Sequence, residues 1–514
     1  MTATPRSLVL LAAICFAGFD SQPANAQSGV PLWTNRYVGG GSYNDLARAL
    51  AVDAQGNAFV TGYSFLGSFA TSYYLTVAYS GVGVPLWTNR YDATGEDVAA
   101  AVAVDRAGNV FVTGRSSGGA SGLDYATVKY SGAGVPLWTN RYDGPAGSSD
   151  QATAIAVDTN GNAFVTGSSY GSSGNPDFAT LAYSSTGVPL WTNRYNGSGN
   201  GGDYGQAVAV DAEGNVIVTG FSVGSGSGTD FATIKYSSAG TELWVRRYNG
   251  PGNSSDEAHA LAVDASGNVF VSGFSFGLGS SFDYATVKYS SAGVALWTNR
   301  YDGPGSGADA AQAIGLDTNG NVYVTGYSAG SSGYYDYATV AYASAGVPLW
   351  TNRYSGPGNA EDSAQSLALD TNGNVFVTGY STVGVGNRDF ATVAYSSAGA
   401  ALWTNRYDGP AAGSDEAYAS AVDRYGNIFV AGNSPGNDGS FDYATIKYAS
   451  VIPSPIPLQI QRAGDKVALA WGDTRFALQA APAVTGAFTN IPTATSPYTN
   501  PASGLQQFFR LKAD

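Results

Sequence analysis

The stretch Gly293-Val294-Ala295-Leu296-Trp297-Thr298-Asn299-Arg300-Tyr301 recurs along the chain and decides the fold. Successive tryptophans of the recurring stretch are separated by 54, 51, 53, 53, 53, 53 and 53 residues. A fixed period of roughly 20 to 50 residues is typical of stacked or radial repeat architectures. The repeated tryptophans are Trp33, Trp87, Trp138, Trp191, Trp244, Trp297, Trp350 and Trp403.

One period contains four short segments with the composition of β-strands, which we label A, B, C and D. Residues 258–263 form strand A, and the Gly- and Asn-containing turn at 264–268 leads to strand B at 269–273. Strand C follows at 283–289 and strand D at 296–301. The sequence lacks the 3.6-residue period of a helical solenoid. Four antiparallel strands per unit, repeated radially, predict a β-propeller blade with strand A innermost.

The phase of the repeat predicts how the ring closes. The array begins with a D strand, Pro31–Tyr37, and ends with a C strand, Phe441–Tyr448. Seven complete sets and a final A-B-C set follow the first D strand, so this strand can complete the last blade and cover its edge. We therefore predict an all-β fold, an eight-bladed β-propeller of four-stranded antiparallel blades closed by the N-terminal strand.

The repeat resembles a known family. The pattern Ala-Leu-Ala-Val-Asp-x-x-Gly-Asn-Val-Phe-Val-x-Gly, followed by Asp-Tyr-Ala-Thr-Val-Lys-Tyr, is similar to the bacterial β-propeller repeat called SBBP. The resemblance covers residues 29–449 and recurs eight times, one blade more than the family name implies. It implies a secreted or surface propeller and no particular activity.

The N-terminal residues 1–26 have the features of a secretory signal peptide. Arg6 precedes an apolar core at residues 8–19, and Ala24-Asn25-Ala26 forms a cleavage site. We therefore expect an exported protein, located outside the cell, on its surface or in the periplasm. Cys15 is the only cysteine, so the mature chain would offer no disulfide or thiol chemistry. No segment is long and apolar enough to predict a membrane span.

The C-terminal part changes character after the repeats. Residues 450–457 are rich in proline and predict a stiff linker. Residues 458–514 resemble the small immunoglobulin- or fibronectin-like sandwich modules at the ends of secreted repeat proteins. Attachment and capping of the ring's seam both stay open as roles. The predicted strands of this module are 458–461, 466–471, 476–480 and 506–511.

Aspartates recur at three positions of the repeat. The first, such as Asp264, precedes the A–B turn and is expected to accept its N–H groups. The second lies eight residues earlier, and the third, such as Asp283, lies at the start of strand C. We expect the second and third sets to cap turns and to pair with the recurring Arg300 type; the alternative is a metal-binding acidic face with Ca²⁺ as the candidate ion. The second set is Asp45, Asp97, Asp150, Asp203, Asp256, Asp309, Asp362 and Asp415.

The tryptophan placement resembles the tryptophan-docking pattern of eight-bladed quinoprotein dehydrogenases. It predicts an indole packed on the neighbouring blade with its N–H bonded. His259, the only histidine, occupies a position of strand A that other repeats fill with Arg, Ala, Thr, Gln or Tyr, which we interpret as packing variation. One histidine gives no Ser-His-Asp triad, and no His or Cys cluster indicates zinc or iron.

The sequence favours a binding function over a catalytic one. The net charge of −14 argues against nucleic acid and anionic membranes as partners. We predict a non-enzymatic scaffold without catalytic or cofactor-binding residues, which presents a loop-rich face to a protein or a glycan. The length irregularities of the repeat fall in D–A and B–C loops, which share one face. The alternatives are a quinoprotein-like oxidoreductase and a polysaccharide-active enzyme, since carboxylate pairs are plentiful.

Overall fold

The computed structural model describes residues 29–513 except 40–42, 94, 120–121, 173, 280, 306, 385, 412, 450–458, 464–465, 472–475, 482–488, 492–493 and 502–507. The predicted signal peptide at 1–26 and the predicted linker at 450–457 lie outside the described residues. The described part of the chain holds no helix with the length and apolar character that a membrane crossing requires.

The described residues form 38 β-strands, of which 32 build the repeat region. Each blade is numbered in chain order and carries its strands A to D in that order. Blade 1 holds β2 Asp45–Val52, β3 Ala58–Leu66, β4 Ser68–Tyr79 and β5 Pro85–Tyr91; blade 2 holds β6 Asp97–Val104, β7 Val110–Ser117, β8 Leu123–Tyr130 and β9 Pro136–Tyr142; blade 3 holds β10 Asp150–Val157, β11 Ala163–Tyr170, β12 Pro176–Tyr183 and β13 Pro189–Tyr195; blade 4 holds β14 Asp203–Val210, β15 Val216–Val223, β16 Thr229–Tyr236 and β17 Glu242–Tyr248. Blade 5 holds β18 Asp256–Val263, β19 Val269–Phe276, β20 Phe282–Tyr289 and β21 Ala295–Tyr301; blade 6 holds β22 Asp309–Leu316, β23 Val322–Ala329, β24 Tyr335–Tyr342 and β25 Pro348–Tyr354; blade 7 holds β26 Asp362–Leu369, β27 Val375–Gly384, β28 Asn387–Tyr395 and β29 Ala401–Tyr407; blade 8 holds β30 Glu416–Val422, β31 Ile428–Pro435, β32 Phe441–Tyr448 and, as its D strand, β1 Pro31–Tyr37.

The repeat region is a closed ring of eight four-stranded antiparallel sheets. The A strand of every blade contacts the A strands of both neighbours, including β2 with β30, so the A strands are innermost. β1 pairs antiparallel with β32, with Asn35 opposite Thr445 and Tyr37 opposite Tyr443. The predicted eight blades and the predicted closure by the N-terminal strand are confirmed. Residues Ser28–Val451 form one compact unit.

The hydrophobic core lies between blades rather than inside them. Phe231 of blade 4 packs with Val269, Val271 and Tyr289 of blade 5 in one buried cluster, and equivalent clusters recur around the ring. A single four-stranded sheet cannot bury both of its faces, so each blade gains its core only from its neighbours.

The recurring tryptophans join each blade to the next. Trp244 is 7% exposed and donates its indole N–H to the carbonyl oxygen of Ser291, in the C–D turn of the next blade, at 3.1 Å. Gly293 of that turn has φ +79°, and an added Cβ would lie 2.8 Å from the Trp244 ring. Only glycine combines this backbone with this approach. The predicted docking is confirmed at seven tryptophans, whose acceptors are the carbonyl oxygens of Gly81, Gly132, Ser185, Ser238, Ser291, Ser344 and Ser397.

The C-terminal residues form two small three-stranded antiparallel sheets, ordered β33-β34-β37 and β36-β35-β38. Leu469 and Leu478, one from each sheet, are buried in a common cluster with Trp471. Two facing sheets around a shared apolar cluster have the arrangement of a small sandwich. The strands are β33 Gln459–Ala463, β34 Lys466–Ala470, β35 Phe476–Ala481, β36 Thr489–Asn490, β37 Tyr498–Pro501 and β38 Phe508–Ala513, of which β36 and β37 were not predicted.

Deleting residues 29–40 should open the ring. The deletion removes β1, leaves the outer edge of β32 unpaired and removes Trp33, whose ring lies 5.7 Å from Phe429. We expect aggregation or a large fall in melting temperature, measured by size-exclusion chromatography and thermal unfolding. Leu32→Ser is the matched control, since Leu32 is exposed on the same strand. A monomeric deletion variant with unchanged melting would contradict closure by β1.

Truncating a buried docking tryptophan should be costly. For Trp244→Ala we expect the free energy of unfolding to fall by about 3–5 kcal/mol, because a large buried ring is lost. Trp244→Phe keeps an aromatic ring but loses the indole hydrogen bond and part of the buried ring surface, so we expect a smaller fall than for Trp244→Ala, of about 1–3 kcal/mol. Urea unfolding measures both, with the exposed Leu243→Ala as a control expected within about 0.5 kcal/mol of wild type. Equal effects from Trp244→Ala and Leu243→Ala would refute the docking role.

Candidate functional site

The aspartate contacts of the A–B turns are uniform around the ring. The Oδ1 atom of Asp264 accepts the N–H groups of Ser266 and Asn268, each at 2.9 Å, and its Oδ2 accepts the Asn268 side-chain amide at 2.7 Å. The equivalent aspartate of every blade makes the same contacts, for example Asp53 with Gln55 and Asn57. The predicted turn role of this first set is confirmed, and these carboxylates stabilise local structure.

Three of the A–B aspartates also pair with a lysine of strand C. Lys235 lies 2.8 Å from Asp211, and Lys447 lies 2.9 Å from Asp423, with both partners of each pair buried. The third pair is Lys129 with Asp105, at 3.7 Å. The sequence analysis missed these pairs. The sequence contains a signal for these pairs, because this position of strand C is Lys in four repeats and Ala in the other four.

The opposite face carries the D–A and B–C loops, and we call it the loop face. The second aspartate set lies here and is buried in all eight blades. The Oδ2 atom of Asp256 accepts the N–H of Gly250 in the D–A loop at 2.7 Å, and its Oδ1 accepts the N–H of Phe276 at the end of strand B at 3.1 Å. The predicted capping role is confirmed, whereas the predicted pairing with the recurring arginine is wrong for this set, since in the described residues those arginines form their ion pairs with the third set. The backbone donors of the eight D–A loops are Gly39, Ala93, Gly144, Gly197, Gly250, Gly303, Gly356 and Gly409.

Burial raises the pKa of every carboxyl of this second set. The effect is largest at Asp415, whose pKa rises to about 6. Desolvation is the main cause, and hydrogen bonds from Ser434 and Gly409 oppose it only in part. The charges of Asp408 and Asp389 raise this pKa further. The loop face therefore holds carboxylates that are costly to ionise in the absence of a nearby positive charge.

The third aspartate set pairs with the recurring arginine, as predicted. The Nη2 of Arg300 lies 2.6 Å from Oδ2 of Asp283 and donates to the Ser275 carbonyl oxygen at 2.8 Å. Its Nη1 lies 3.2 Å from the Tyr248 hydroxyl of the preceding blade, so one guanidinium joins three strands and two blades. Seven pairs are present: Arg36–Asp442, Arg141–Asp124, Arg194–Asp177, Arg247–Asp230, Arg300–Asp283, Arg353–Asp336 and Arg406–Asp389.

Blade 1 replaces this ion pair with an aromatic contact. Tyr73 occupies the position of the third aspartate, and the Arg90 guanidinium lies 4.7 Å from the centre of its ring. The sequence already indicated that this repeat lacks the aspartate. The structure adds that a cation–π contact takes its place.

Three blade junctions gather three carboxylates each. In every case one carboxylate comes from strand C, one from the residue after strand D of the same blade, and one from the second aspartate set of the next blade. A carboxylate oxygen of each residue lies within 4.8 Å of the other two. The clusters are Asp124–Asp143–Asp150, Asp283–Asp302–Asp309 and Asp389–Asp408–Asp415. Three members of the predicted acidic face, Asp150, Asp309 and Asp415, thus lie close to other carboxylates. Metal binding at this face stays a prediction.

His259 lies at an irregularity of strand A that recurs in every blade. Every A strand carries a β-bulge here, with register shifts such as that between Ala258 and Ala260. A bulge re-aims its extra side chain. His259 is half-buried, and its Nδ1 lies 3.2 Å from the carbonyl oxygen of Ala311 in the next A strand. The packing interpretation agrees with the contact between His259 and Phe274, whose ring centres are 5.3 Å apart. The equivalent bulge positions of the innermost strands define what we call the mouth of the central channel: Arg48, Ala100, Thr153, Gln206, His259, Gln312, Gln365 and Tyr418.

One pocket opens at this mouth where blade 8 meets blades 1 and 2. Its volume is about 330 Å³, and Arg48, Tyr63, Arg115 and Tyr418 line it together with Val98, Ala99 and Ala100. The Arg48 guanidinium lies 5.5 Å from the ring centres of both Tyr63 and Tyr418. Arg48 is exposed, so its remaining donors face the pocket opening and solvent.

The other side of the mouth is aromatic. The ring centres of Tyr204 and Phe221 are 5.0 Å apart, those of Phe274 and Phe282 are 4.6 Å apart, and those of Tyr327 and Tyr335 are 4.9 Å apart. All six rings are half-buried. These pairs lie on blades 4, 5 and 6, whereas Arg48 and Arg115 lie on blades 1 and 2. The mouth therefore breaks the eightfold symmetry that the repeated aspartates and tryptophans preserve.

Comparison with known proteins supports the fold. Residues 141–175, 300–334 and 350–386 match the SBBP family model, described as a beta-propeller repeat, so the resemblance is confirmed for these repeats. Among curated proteins, none matches the sequence of this chain.

Three solved structures show a low similarity to this chain. A eukaryotic initiation factor is 11% identical with a TM-score of 0.40, over 90% of each chain. Regucalcin, a calcium-binding protein from Agrobacterium tumefaciens strain C58, is 11% identical with a TM-score of 0.31, over 58% of this chain and 91% of its own. A glucose dehydrogenase is 12% identical with a TM-score of 0.32, over 57% and 94%. Similarities this low carry no argument about function.

The raised carboxyl pKa values predict the pH dependence of stability. Between about pH 4 and pH 6 the folded state keeps a proton on Asp415 that the unfolded chain has released, and the raised pKa values of the other aspartates of the second set act in the same direction. The unfolding free energy should therefore fall as the pH rises through this window. Urea midpoints at pH 5 and pH 7 in metal-free buffer measure the change, and Asp415→Asn should reduce it. A midpoint that rises with pH would contradict the raised pKa values.

Proposed function

We propose that this protein is a non-enzymatic binding propeller whose ligand site is the loop face around the mouth of the central channel. The observation that carries the proposal is the contrast between the two faces. The A–B turn face repeats the same aspartate contacts in all eight blades. At the bulges of the A strands, nearer the loop face, the residue changes from Arg48 to His259 to Tyr418, and aromatic and charged neighbours accompany the change.

The chemistry of the mouth supports ligand binding. Half-buried tyrosine and phenylalanine rings lie on one side, and Arg48 between Tyr63 and Tyr418 lies on the other. Aromatic residues and arginine are the residue types enriched where proteins bind partners. The docked tryptophans and the capped D–A loops hold this surface in place, so binding would cost little conformational entropy. The proposed ligand class is a protein or a glycan.

The setting we propose is outside the cytoplasm. The signal-like features of residues 1–26 and the single cysteine support export. The C-terminal sheets are a separate compact part of the chain, and an immunoglobulin-like identity for them stays a prediction.

Binding should depend on the mouth and not on the A–B turns. The purified full chain is screened on a glycan array and against surface-protein extracts fixed on beads. For any ligand found, we expect Arg48→Ala with Tyr418→Ala to weaken binding at least about tenfold, which corresponds to about 1.4 kcal/mol. The matched control is Gln55→Ala with Ser266→Ala, two exposed A–B turn residues.

Two results would contradict the proposal. Binding lost in the A–B turn variant and kept in the mouth variant would place the ligand site on the opposite face. Dye-linked oxidation of sugars or alcohols, or release of reducing ends from a polysaccharide, would make the protein an enzyme of one of the two alternative classes.

A further inference from the structure

We propose that three blade junctions on the loop face each bind one divalent cation of the Ca²⁺ type. The three sites are the clusters Asp124–Asp143–Asp150, Asp283–Asp302–Asp309 and Asp389–Asp408–Asp415. They lie between blades 2 and 3, 5 and 6, and 7 and 8. The inference is independent of the proposed ligand site at the channel mouth.

The geometry allows one ion to be shared by all three carboxylates. Asp283 comes from strand β20, Asp302 follows strand β21, and Asp309 begins strand β22 of the next blade. Their ligand oxygens lie within 4.8 Å of one another. Calcium binds oxygen at about 2.3–2.6 Å, so two oxygens of one ion are separated by at most about 5 Å. The observed spacing fits within this limit.

Buried oxygens without a hydrogen-bond donor provide a second and independent observation at two of the clusters, and the cluster at Asp124 is assigned by its equivalent geometry. Arg300 occupies Oδ2 of Asp283, and Arg406 occupies Oδ2 of Asp389. The other oxygen of each carboxylate, Oδ1, is buried and accepts no hydrogen bond from the residues that the structure describes. Since Oδ2 is turned to the arginine, Oδ1 is the oxygen left to the cluster. A buried carboxylate oxygen without a partner costs free energy, and a cation would satisfy it.

The charge balance of these junctions also leaves room for a divalent ion. Three carboxylates face one guanidinium, which leaves two negative charges uncompensated at each cluster. Burial and then the charge of Asp283 raise the pKa of Asp302, and the charge of Asp302 adds to the effect of burial on Asp309. A bound divalent cation would cancel the excess charge and reverse both shifts.

The other five junctions are natural controls, because each lacks one of the three carboxylates. The residue after strand D is Asn196, Asn249, Ser355 or Val38 at four of them. The fifth has Asp92 in that place, but Tyr73 replaces the strand C aspartate. The pair of aspartates from strand C and the second set is therefore present at seven junctions, and three of these seven add the carboxylate after strand D.

The form of the site favours calcium over magnesium. Asp143, Asp302 and Asp408 are exposed, so water has access to the outer side of each cluster and can complete the coordination. Calcium accepts irregular sets of six to eight oxygens, whereas magnesium requires near-ideal octahedral geometry. We expect dissociation constants of about 10⁻⁴ to 10⁻³ M, the range of extracellular calcium modules.

Titration of the full chain with Ca²⁺ after removal of metals by a chelator tests the proposal. Isothermal titration calorimetry should give three equivalents. Terbium luminescence gives a second readout, since Tyr142, Tyr301 and Tyr407 directly precede the exposed aspartates and can sensitise the ion. Asp302→Asn should remove one equivalent, and the triple variant Asp143→Asn, Asp302→Asn and Asp408→Asn should remove all three.

The repeat supplies matched controls for folding and for charge. Asparagine already occupies this position at Asn196 and Asn249, so the triple variant should keep the melting temperature of the metal-free wild type. Asp92→Asn should leave three equivalents, and Asn196→Asp should add a fourth beside Asp177 and Asp203. The proposal is overturned if the wild-type chain binds no Ca²⁺ at millimolar concentration, if the triple variant binds as many ions as the wild type, or if Asn196→Asp adds none.

Discussion

The ring depends on the contact that each docking tryptophan makes with the next blade. The indole N–H donates to a carbonyl oxygen of that blade, and the indole ring packs against it. The contact holds the outer edge of one blade against its neighbour and covers apolar surface that a four-stranded sheet alone leaves open. Because every blade needs the next, an open array would leave an unprotected end. Closure through β1 and β32 removes that end and completes the cycle.

The two faces of the ring meet different physical demands. On the A–B turn face the aspartates are bonded within their own turns, so the same turn geometry repeats in all eight blades. On the loop face the aspartates are buried to hold the D–A loops, and burial raises their pKa. The same carboxylates that order these loops thus make the face receptive to positive charge. The second aspartate set therefore both orders the D–A loops and attracts positive charge.

A uniform repeat can create a specific site only where its symmetry is broken. The bulge in each A strand directs one side chain of every blade toward the channel mouth without disturbing the flanking pairs. This position can therefore vary freely, from Arg48 to His259 to Tyr418. The third carboxylate at three of the eight junctions breaks the symmetry in a second way. The variable bulge residues and the clusters of three carboxylates both lie toward the loop face, where a rigid scaffold can present them together.

The sequence by itself determined the period, the four strands of each blade, the eight blades, the closing strand, the A–B turn aspartates and the tryptophan docking. These features follow from local patterns that recur eight times, so each copy supports the others. Only the tertiary structure decided that Arg48 meets Tyr418, that Arg90 lies over Tyr73, and that Asp283 and Asp302 meet Asp309 of the next blade. A period identifies equivalent residues, but contacts across blades depend on the bulges, the register and the closure of the ring, which bring together residues as far apart as 48 and 418.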